Sequence, residues 1–302
     1  MTSSLPAVSV IIPALNAGAT LSSALQSLVS QSAAFEAILV DGGSQDDTLA
    51  VAAAMPWLRT ISAPGTSIYQ ALNLAIAESR APNILWLNAD DALLPGAMDA
   101  LLTAMEASPD AGIIRGRPRF LENIDGVLMP CIRENEATDR PFGLELLLRG
   151  PCAINSLCIR RSVFDSIGLF RTDMRLAADR EWLLRAWCVG IGVIDIPQPV
   201  YRYLVHSGSL TLDRAGRNFA TIRHEHLAII QRYLTELPRV PTPALRSSLR
   251  RWQAVEIALL TIYSVKNGHL IEAMRTVWQG FQDAPFWPVA LAAELISKVV
   301  RL

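Results

Sequence analysis

The sequence predicts an α/β fold, a parallel sheet with helices on both faces, followed by an all-helical C-terminal extension. Three observations carry this. Wholly apolar, β-branched runs alternate with segments of helical periodicity as far as Arg115. Strands apolar on both sides belong inside a sheet covered on both faces. Three of these runs end in Asn or Asp, and from about Asp213 onward the pattern is helical only. Residues 1–212 are therefore expected to form the sheet domain and 213–302 the extension.

Val8–Ile12 is the first strand, closed by Pro13, and Leu21, Ala24, Leu25, Leu28 and Val29 then recur at helical spacing. Ala37–Val40 is a second strand, followed by a helix from about Asp47 to Met55 and a third strand near Leu58–Ser62. Ile68, Ala71, Leu72, Ala75 and Ile76 mark another helix, and Asn83–Leu87 a fourth strand. Pro95 suits a helix start, with that helix running to about Ala107 and a further strand over Ala111–Arg115. Beyond Gly116, Arg160–Ile167 and Asp179–Val189 read as helices and Gly192–Leu204 as one or two edge strands. The extension carries candidate helices at Asn218–Leu237, Pro243–Lys266, His269–Phe281 and Pro288–Leu302, with Asn267-Gly268 as a stop between two of them.

Composition narrows the function classes. The 302 residues are 51% hydrophobic and 18% charged, which excludes intrinsic disorder, and a net charge of −1 excludes a field that recruits nucleic acid. Four cysteines without C-x-x-C spacing imply neither a zinc site nor a disulfide framework, and Cys152 and Cys158 are read as small buried hydrophobes. Met1–Ala7 lacks the basic and apolar regions of a signal peptide, and no run of about 18 apolar residues offers a spanning helix. A cytoplasmic protein is expected, at most resting on the inner face of the cytoplasmic membrane.

In an open parallel sheet, ligands bind beyond the carboxyl ends of the strands. There the sequence places Asn16, Asp41, and the group Asn88, Asp90 and Asp91. Asn and Asp also favour turns and caps, but three strand ends with Asn or Asp on one rim point to a ligand. Adjacent carboxylates repel unless a cation sits nearby, and hard oxygen donors favour Mg²⁺ or Mn²⁺ over zinc. A cation held this way most often serves phosphates, which suggests a nucleotide-type ligand. The absence of G-x-G-x-x-G opposes a dinucleotide-binding domain, and the absence of G-x-x-x-x-G-K-[ST] opposes a P-loop.

Val8-Ser9-Val10-Ile11-Ile12-Pro13-Ala14-Leu15-Asn16, Val40-Asp41-Gly42-Gly43-Ser44 and Leu87-Asn88-Ala89-Asp90-Asp91, in this order, resemble the inverting family 2 glycosyltransferases of the GT-A fold. Ile68-Tyr69-Gln70-Ala71-Leu72-Asn73 is similar to the I-Y-D-A-x-N stretch of one bacterial branch. Arg160–Phe164, Gly168–Phe170 and Ala178–Arg185 match the acceptor-side segment. The resemblance covers about residues 8–210 and divides them into a donor half, 1–116, and an acceptor half, 117–212.

The resemblance implies an enzyme that transfers a single sugar from a nucleotide-sugar, most readily a UDP-sugar, to a saccharide or lipid-linked saccharide. It implies a role in cell-surface polysaccharide or lipopolysaccharide synthesis. Pro13, Asn16, Asp41, Gly43, Asn88, Asp90 and Asp91 would line the donor site, with Asp41 accepting a hydrogen bond from the base. Mn²⁺ or Mg²⁺ would be held by Asp91 as the more direct ligand, by Asp90, and by His206 of a closing Tyr201–His206 segment. Asp179 would be the catalytic base, with Glu181 its near neighbour. Asn88 departs from the usual D-x-D, Gly42 replaces a second Asp, Ala178 replaces an acid before the base, and no Q-x-x-R-W of processive synthases is present. These departures leave a catalytically degenerate nucleotide-sugar-binding or scaffold subunit as the alternative. A sugar nucleotidyltransferase would need a G-x-x-x-R-L loop, which residues 13–19 lack.

His224 and His226 are two apart and point to different helix faces, so they form no metal pair. Arg115 and Arg117 read as exposed loop charges. The extension, with Arg246, Arg250, Arg251, Trp252, Phe286, Trp287, Lys298 and Arg301, admits a membrane-interface helix, a helical subdomain or a homodimer surface, and composition does not separate these.

Overall fold

The computed structural model describes residues 5–124, 127–130, 141–150, 154–206, 217–235, 242–283, 285 and 287–289. The chain divides into two compact units, Met1–His206 and Ser207–Leu302. The expected boundary at 212/213 lies outside the described residues.

In the first unit the strands are β1 (Val8–Ala14), β2 (Phe35–Asp41), β3 (Leu58–Ser62), β4 (Asn83–Trp86), β5 (Ala92–Leu93), β6 (Ala111–Ile124), β7 (Val127–Pro130), β8 (Leu157–Arg160) and β9 (Gly192–Val205). They form one sheet in the order β3-β2-β1-β4-β8-β6-β9-β5, with β7 paired to β6. The helices are α1 (Leu21–Val29), α2 (Thr48–Ala53), α3 (Ile68–Glu78), α4 (Ala97–Ala107), α5 (Leu144–Arg149), α6 (Arg161–Ile167) and α7 (Ala178–Cys188).

The sheet is mixed rather than parallel. β3, β2, β1 and β4 run parallel, and so do β6 and β9, but β8 is antiparallel to both β4 and β6. Periodicity in the sequence shows only the helix at Arg160–Ile167; Leu157-Cys158-Ile159 before it is the buried strand. Three residues are too few to show a period. Arg160 fixes this strand, donating from Nε to the Ala111 carbonyl at 2.8 Å and from Nη2 to Met105 at 2.7 Å. β9 is lengthened to 14 residues and is not simply an edge, because Tyr201 and Arg202 also pair with β5. Pro95 lies before α4, whose N-cap is Gly96 at φ 73°. Arg115 and Arg117 both sit within β6, and Arg115 pairs with Asp195 at 2.5 Å, so neither is a loop charge.

Alternation assigns the two faces. Val8, Val10 and Ile12 pack with Leu21, Leu25 and Leu28 of α1 and Met98 and Leu101 of α4. The opposite face carries Ile11, Ile84 and Trp86 against Phe164 and Phe170. Each fully buried Leu or Ile contributes roughly 1.5–3 kcal/mol. Parallel strands end on one edge, so Asp41, the residues after Trp86 and, beyond β9, His206 all arrive at the same rim. Cys158 is fully buried, which pushes its thiol up to about 12, whereas Cys188 is exposed. Cys131 and Cys152 lie outside the described residues.

The second unit contains α8 (Phe219–Thr235), α9 (Pro243–Lys266) and α10 (Leu270–Asp283). Thr242 caps α9, accepting from the Leu245 N–H, with Pro243 at the first turn. His226 is buried rather than ligating: Glu256 accepts from its Nδ1 at 3.0 Å, from Trp252 Nε1 at 2.7 Å and from Arg223 at 3.1 Å. Of the expected helix at 288–302, residues from 290 on lie outside the described residues, and so do Phe286, Lys298 and Arg301. Among the described residues no helix is long and apolar enough to cross a membrane.

Candidate functional site

The loops after β1 and β2 close on one another. Asn16, at φ 52°, takes the left-handed conformation that Asn tolerates better than most residues. Its N–H donates to Ser44 Oγ at 2.8 Å, and its Oδ1 accepts from the Gln45 N–H at 2.9 Å. Ala17 donates to Thr48 Oγ1 at 2.7 Å. Gly43, at φ 101°, would place a Cβ 3.3 Å from Pro64, so conformation and space both require glycine. Pro13 lies within β1 opposite Val40 and forms part of the floor beneath these loops.

Asp41 is 1% exposed. It accepts from the Gly43 N–H at 3.0 Å, the Ser44 N–H at 3.1 Å and Ser44 Oγ at 2.5 Å. Both carboxylate oxygens are thereby engaged in shaping the loop, and neither is turned outward to meet a base.

The residues after β4 divide in a way that local sequence does not resolve. Asp91, the expected direct metal ligand, is buried, with Oδ2 accepting from Asn88 Nδ2 at 2.8 Å and from the Tyr201 hydroxyl at 2.7 Å. Its Oδ1 accepts from the Leu204 N–H at 2.8 Å. In this arrangement Asp91 ties the β4 loop to β9 and faces the protein. Burial, and next the charge of Asp90, push its carboxyl up to about 7 against those three hydrogen bonds. Asp90 points the other way and is partly exposed, with Oδ2 2.8 Å from His206 Nε2. Tyr201 is the junction of the site. Its buried hydroxyl also accepts from the Asn88 N–H at 3.1 Å and from Asn155 Nδ2 at 3.0 Å.

Among the described residues no group of three or more His, Cys, Asp or Glu gathers as a metal cage. Asp90 and His206 supply one oxygen and one imidazole nitrogen at the rim. That donor pair suits a weakly held Mn²⁺ better than Mg²⁺, which prefers oxygen, and it leaves coordination positions for a phosphate-bearing ligand.

Asp179 lies in the first turn of α7, whose N-cap is Ala177, so it is not the cap. Its Oδ1 accepts from the Arg180 N–H at 2.8 Å and from the Tyr69 hydroxyl at 3.1 Å. Burial raises its pKa above the usual carboxylate range, opposed by the Arg180 charge and these hydrogen bonds. Glu181 is 1% exposed and paired with Arg185 at 3.1 Å, which excludes it as an accessible base.

Tyr69 and Asn73, four apart on α3, carry no assigned role in the sequence pattern, yet both reach the acceptor half. Tyr69 packs on Trp86 and Phe170, and Asn73 exchanges two hydrogen bonds with the Phe170 backbone at 2.8 and 3.0 Å. Two polar residues on one turn of an otherwise apolar helix face were the available signal.

The chain is 31% identical over 214 residues, 66% of its own length and 74% of the relative's, to the PGL/p-HBAD biosynthesis glycosyltransferase of Mycobacterium bovis. It is likewise 31% identical to an uncharacterized protein of Mycobacterium tuberculosis, of whose length it spans 61%. The fold matches residues 1–349 of S. aureus TarS in complex with UDP-GlcNAc, with a TM-score of 0.57, 12% identity and 91% of each chain covered; a longer TarS chain is covered over 55%. The mannosyltransferase PcManGT of Pyrobaculum calidifontis, in complex with GDP-Man and Mn²⁺, matches with a TM-score of 0.60 and 16% identity over 97% of this chain and 81% of that one. These are the GT-A glycosyltransferase architecture that the strand order and the helices on both faces display. The sequence pattern of glycosyl transferase family 2 matches residues 9–166, more than half of the chain, and the chain belongs to that family.

Proposed function

We propose that this protein is a metal-dependent inverting glycosyltransferase. It moves one sugar from a nucleotide-sugar, a UDP-sugar first, to a saccharide or lipid-linked saccharide acceptor. The observation that carries the reading is the disposition of three side chains. Asp90 and His206 stand together at the carboxyl rim of the sheet, and Asp179 stands on the acceptor side with one carboxylate oxygen engaged by Tyr69 and Arg180.

An acceptor hydroxyl is a poor nucleophile, and in this reading the Asp179 carboxylate takes its proton as the bond to the anomeric carbon forms. A raised pKa makes this carboxylate a stronger base than an exposed one. One base and one displacement invert the anomeric centre. Asp90 and His206 would hold the divalent cation, which supplies charge neutralisation for the departing diphosphate. Asp41, Asn16, Gly43 and Pro13 contribute to the donor pocket by fixing the paired loops, and Asn88 by fixing Asp91. The nucleotide-sugars of TarS and PcManGT support the donor class, and the Mn²⁺ of PcManGT the metal. A relative named for a biosynthetic route supports a biosynthetic role, which we take to be cell-surface polysaccharide or lipopolysaccharide synthesis in the cytoplasm.

Calorimetric titration of UDP and of GDP, with and without Mn²⁺, tests the reading, and NMR of the product anomer tests inversion. Tighter diphosphate binding with Mn²⁺ is expected, and Asp90→Ala should lose that gain. Absence of any nucleoside diphosphate binding would sink the donor assignment.

A further inference from the structure

The strongest unassigned surface is in the second unit, and its reading does not depend on the proposed reaction. At roughly 100° per residue, α10 divides into three arcs. One is turned inward: Ala273 and Gly280 are buried and Thr276 and Val277 partly so. A Cβ on Gly280 would come within 3.1 Å of Ile257, which shows how closely this arc lies on α9. A second arc is polar, with Glu272, Arg275, Gln279 and Gln282. The third is apolar and largely exposed: Leu270 is 61% exposed, Ile271 71%, Met274 72% and Trp278 66%, while Phe281, edge-on to Trp287, is 46% exposed.

A single apolar arc is enough to seat a helix on its own domain, and that task falls to Ala273, Val277 and Gly280. The third arc is surplus to it. With about 150–250 Å² per large side chain, it leaves roughly 600 Å² of apolar surface open, the upper end of what a monomer shows.

Two features select the occupant. The polar arc carries one Arg and one Glu, with no excess of cations to meet an anionic bilayer. The spacing is also self-complementary. Ile271, Met274, Trp278 and Phe281 follow one another at intervals of three, four and three, which read the same in both directions. Two such helices set antiparallel about position 276 put Ile271 opposite the other copy's Phe281 and Met274 opposite its Trp278. Thioether on indole and branched aliphatic on phenyl are both favourable pairings. The pair would bury at most about 1,200 Å² from these side chains, the lower end of specific interfaces.

We propose that this arc is the contact between two copies of the chain, paired isologously through antiparallel α10 helices. The full chain should sediment at dimer mass in analytical ultracentrifugation at micromolar concentration. Met274→Lys and Trp278→Glu should each sediment as monomers with unchanged far-UV circular dichroism, because both side chains are exposed in the single chain. Mixing the two variants should restore the dimer mass, since the ammonium introduced in one copy then faces the carboxylate introduced in the other. A monomeric wild type at about 100 µM overturns the proposal, as does persistence of the dimer in both variants. Failure of the mixture to reassociate overturns the antiparallel pairing. Flotation of a monomeric wild type with phosphatidylcholine–phosphatidylglycerol vesicles, lost in both variants, would assign the arc to lipid instead.

Discussion

If Asp179 is the base, removing the hydroxyl of Tyr69 should change how the reaction depends on pH more than how fast it runs at its plateau. The Tyr69 hydroxyl donates to Asp179 Oδ1 at 3.1 Å and so favours the ionised carboxylate. In Tyr69→Phe the ring stays packed between Trp86 and Phe170, and Asp179 keeps the Arg180 N–H. A hydrogen bond to a charged group contributes about 1.5–3 kcal/mol, and the 3.1 Å length of this one argues for the lower end. About 1.4 kcal/mol corresponds to tenfold.

The sign follows from the direction of the shift. Burial already lifts the Asp179 carboxyl above its ordinary range, and a base works only when ionised. The acidic limb of kcat/KM should therefore lie above the ordinary carboxylate range and move higher in Tyr69→Phe. At a pH below that limb the variant should be about tenfold slower, and well above it the two rates should converge. Asp179→Asn should lose about 10²-fold or more at every pH. Its melting temperature at neutral pH should match or exceed wild type, because stability tied to a raised carboxyl is present at low pH and lost as the pH rises through the folded value. Stopped-flow or coupled diphosphate release across the pH range gives the profile. A uniform fall in Tyr69→Phe with an unmoved limb would refute the link between Tyr69 and the base.

Asp90→Ala should leave the melting temperature near wild type and weaken Mn²⁺-dependent UDP binding by about 10–100-fold, read by calorimetry. Asp91→Ala should instead lower stability by about 3 kcal/mol in a denaturant titration, since Asn88 Nδ2, the Tyr201 hydroxyl and the Leu204 N–H lose their acceptor. Asp41→Ala should raise the donor KM with a smaller effect on kcat, and equal KM values would separate the Gly43–Ser44 loop from donor binding. Glu256→Gln should cost about 3 kcal/mol at neutral pH by breaking a buried ion pair. Burial pushes Glu256 up, but the His226 hydrogen bond and charge, then Arg223 and Trp252, outweigh it and hold its pKa low. Its stabilisation is thus present above the ordinary carboxylate range and lost as the pH falls through the folded value, so the melting difference should shrink in acid.

The central strands β1, β2 and β4 were legible because they are largely buried on both faces and read as nearly unbroken apolar runs. β8 was not, because three buried residues immediately before a helix carry no period of their own. The polar residues show a sharper limit. Sequence placed Asp41, Asp90 and Asp91 on one rim, since the ends of parallel strands must share an edge, and only the family resemblance added His206. It did not say which way each side chain turns. Asp90 and Asp91 are adjacent in a tight turn, and a choice between them depends on what lies opposite. That partner is β9, about 110 residues further on, where Tyr201 and the Leu204 N–H reach back to Asp91. Once Asp91 is committed inward, its neighbour Asp90 is left at the surface, and β9, continuing past Val205, brings His206 to it. One strand therefore both removes the expected ligand from the rim and delivers the imidazole that stands beside the other. The same logic governs Asp179, whose contact with Tyr69 spans 110 residues and joins the two halves of the sheet domain. Local pattern fixes which residues reach the rim, and long-range pairing fixes which of them are left to do chemistry there.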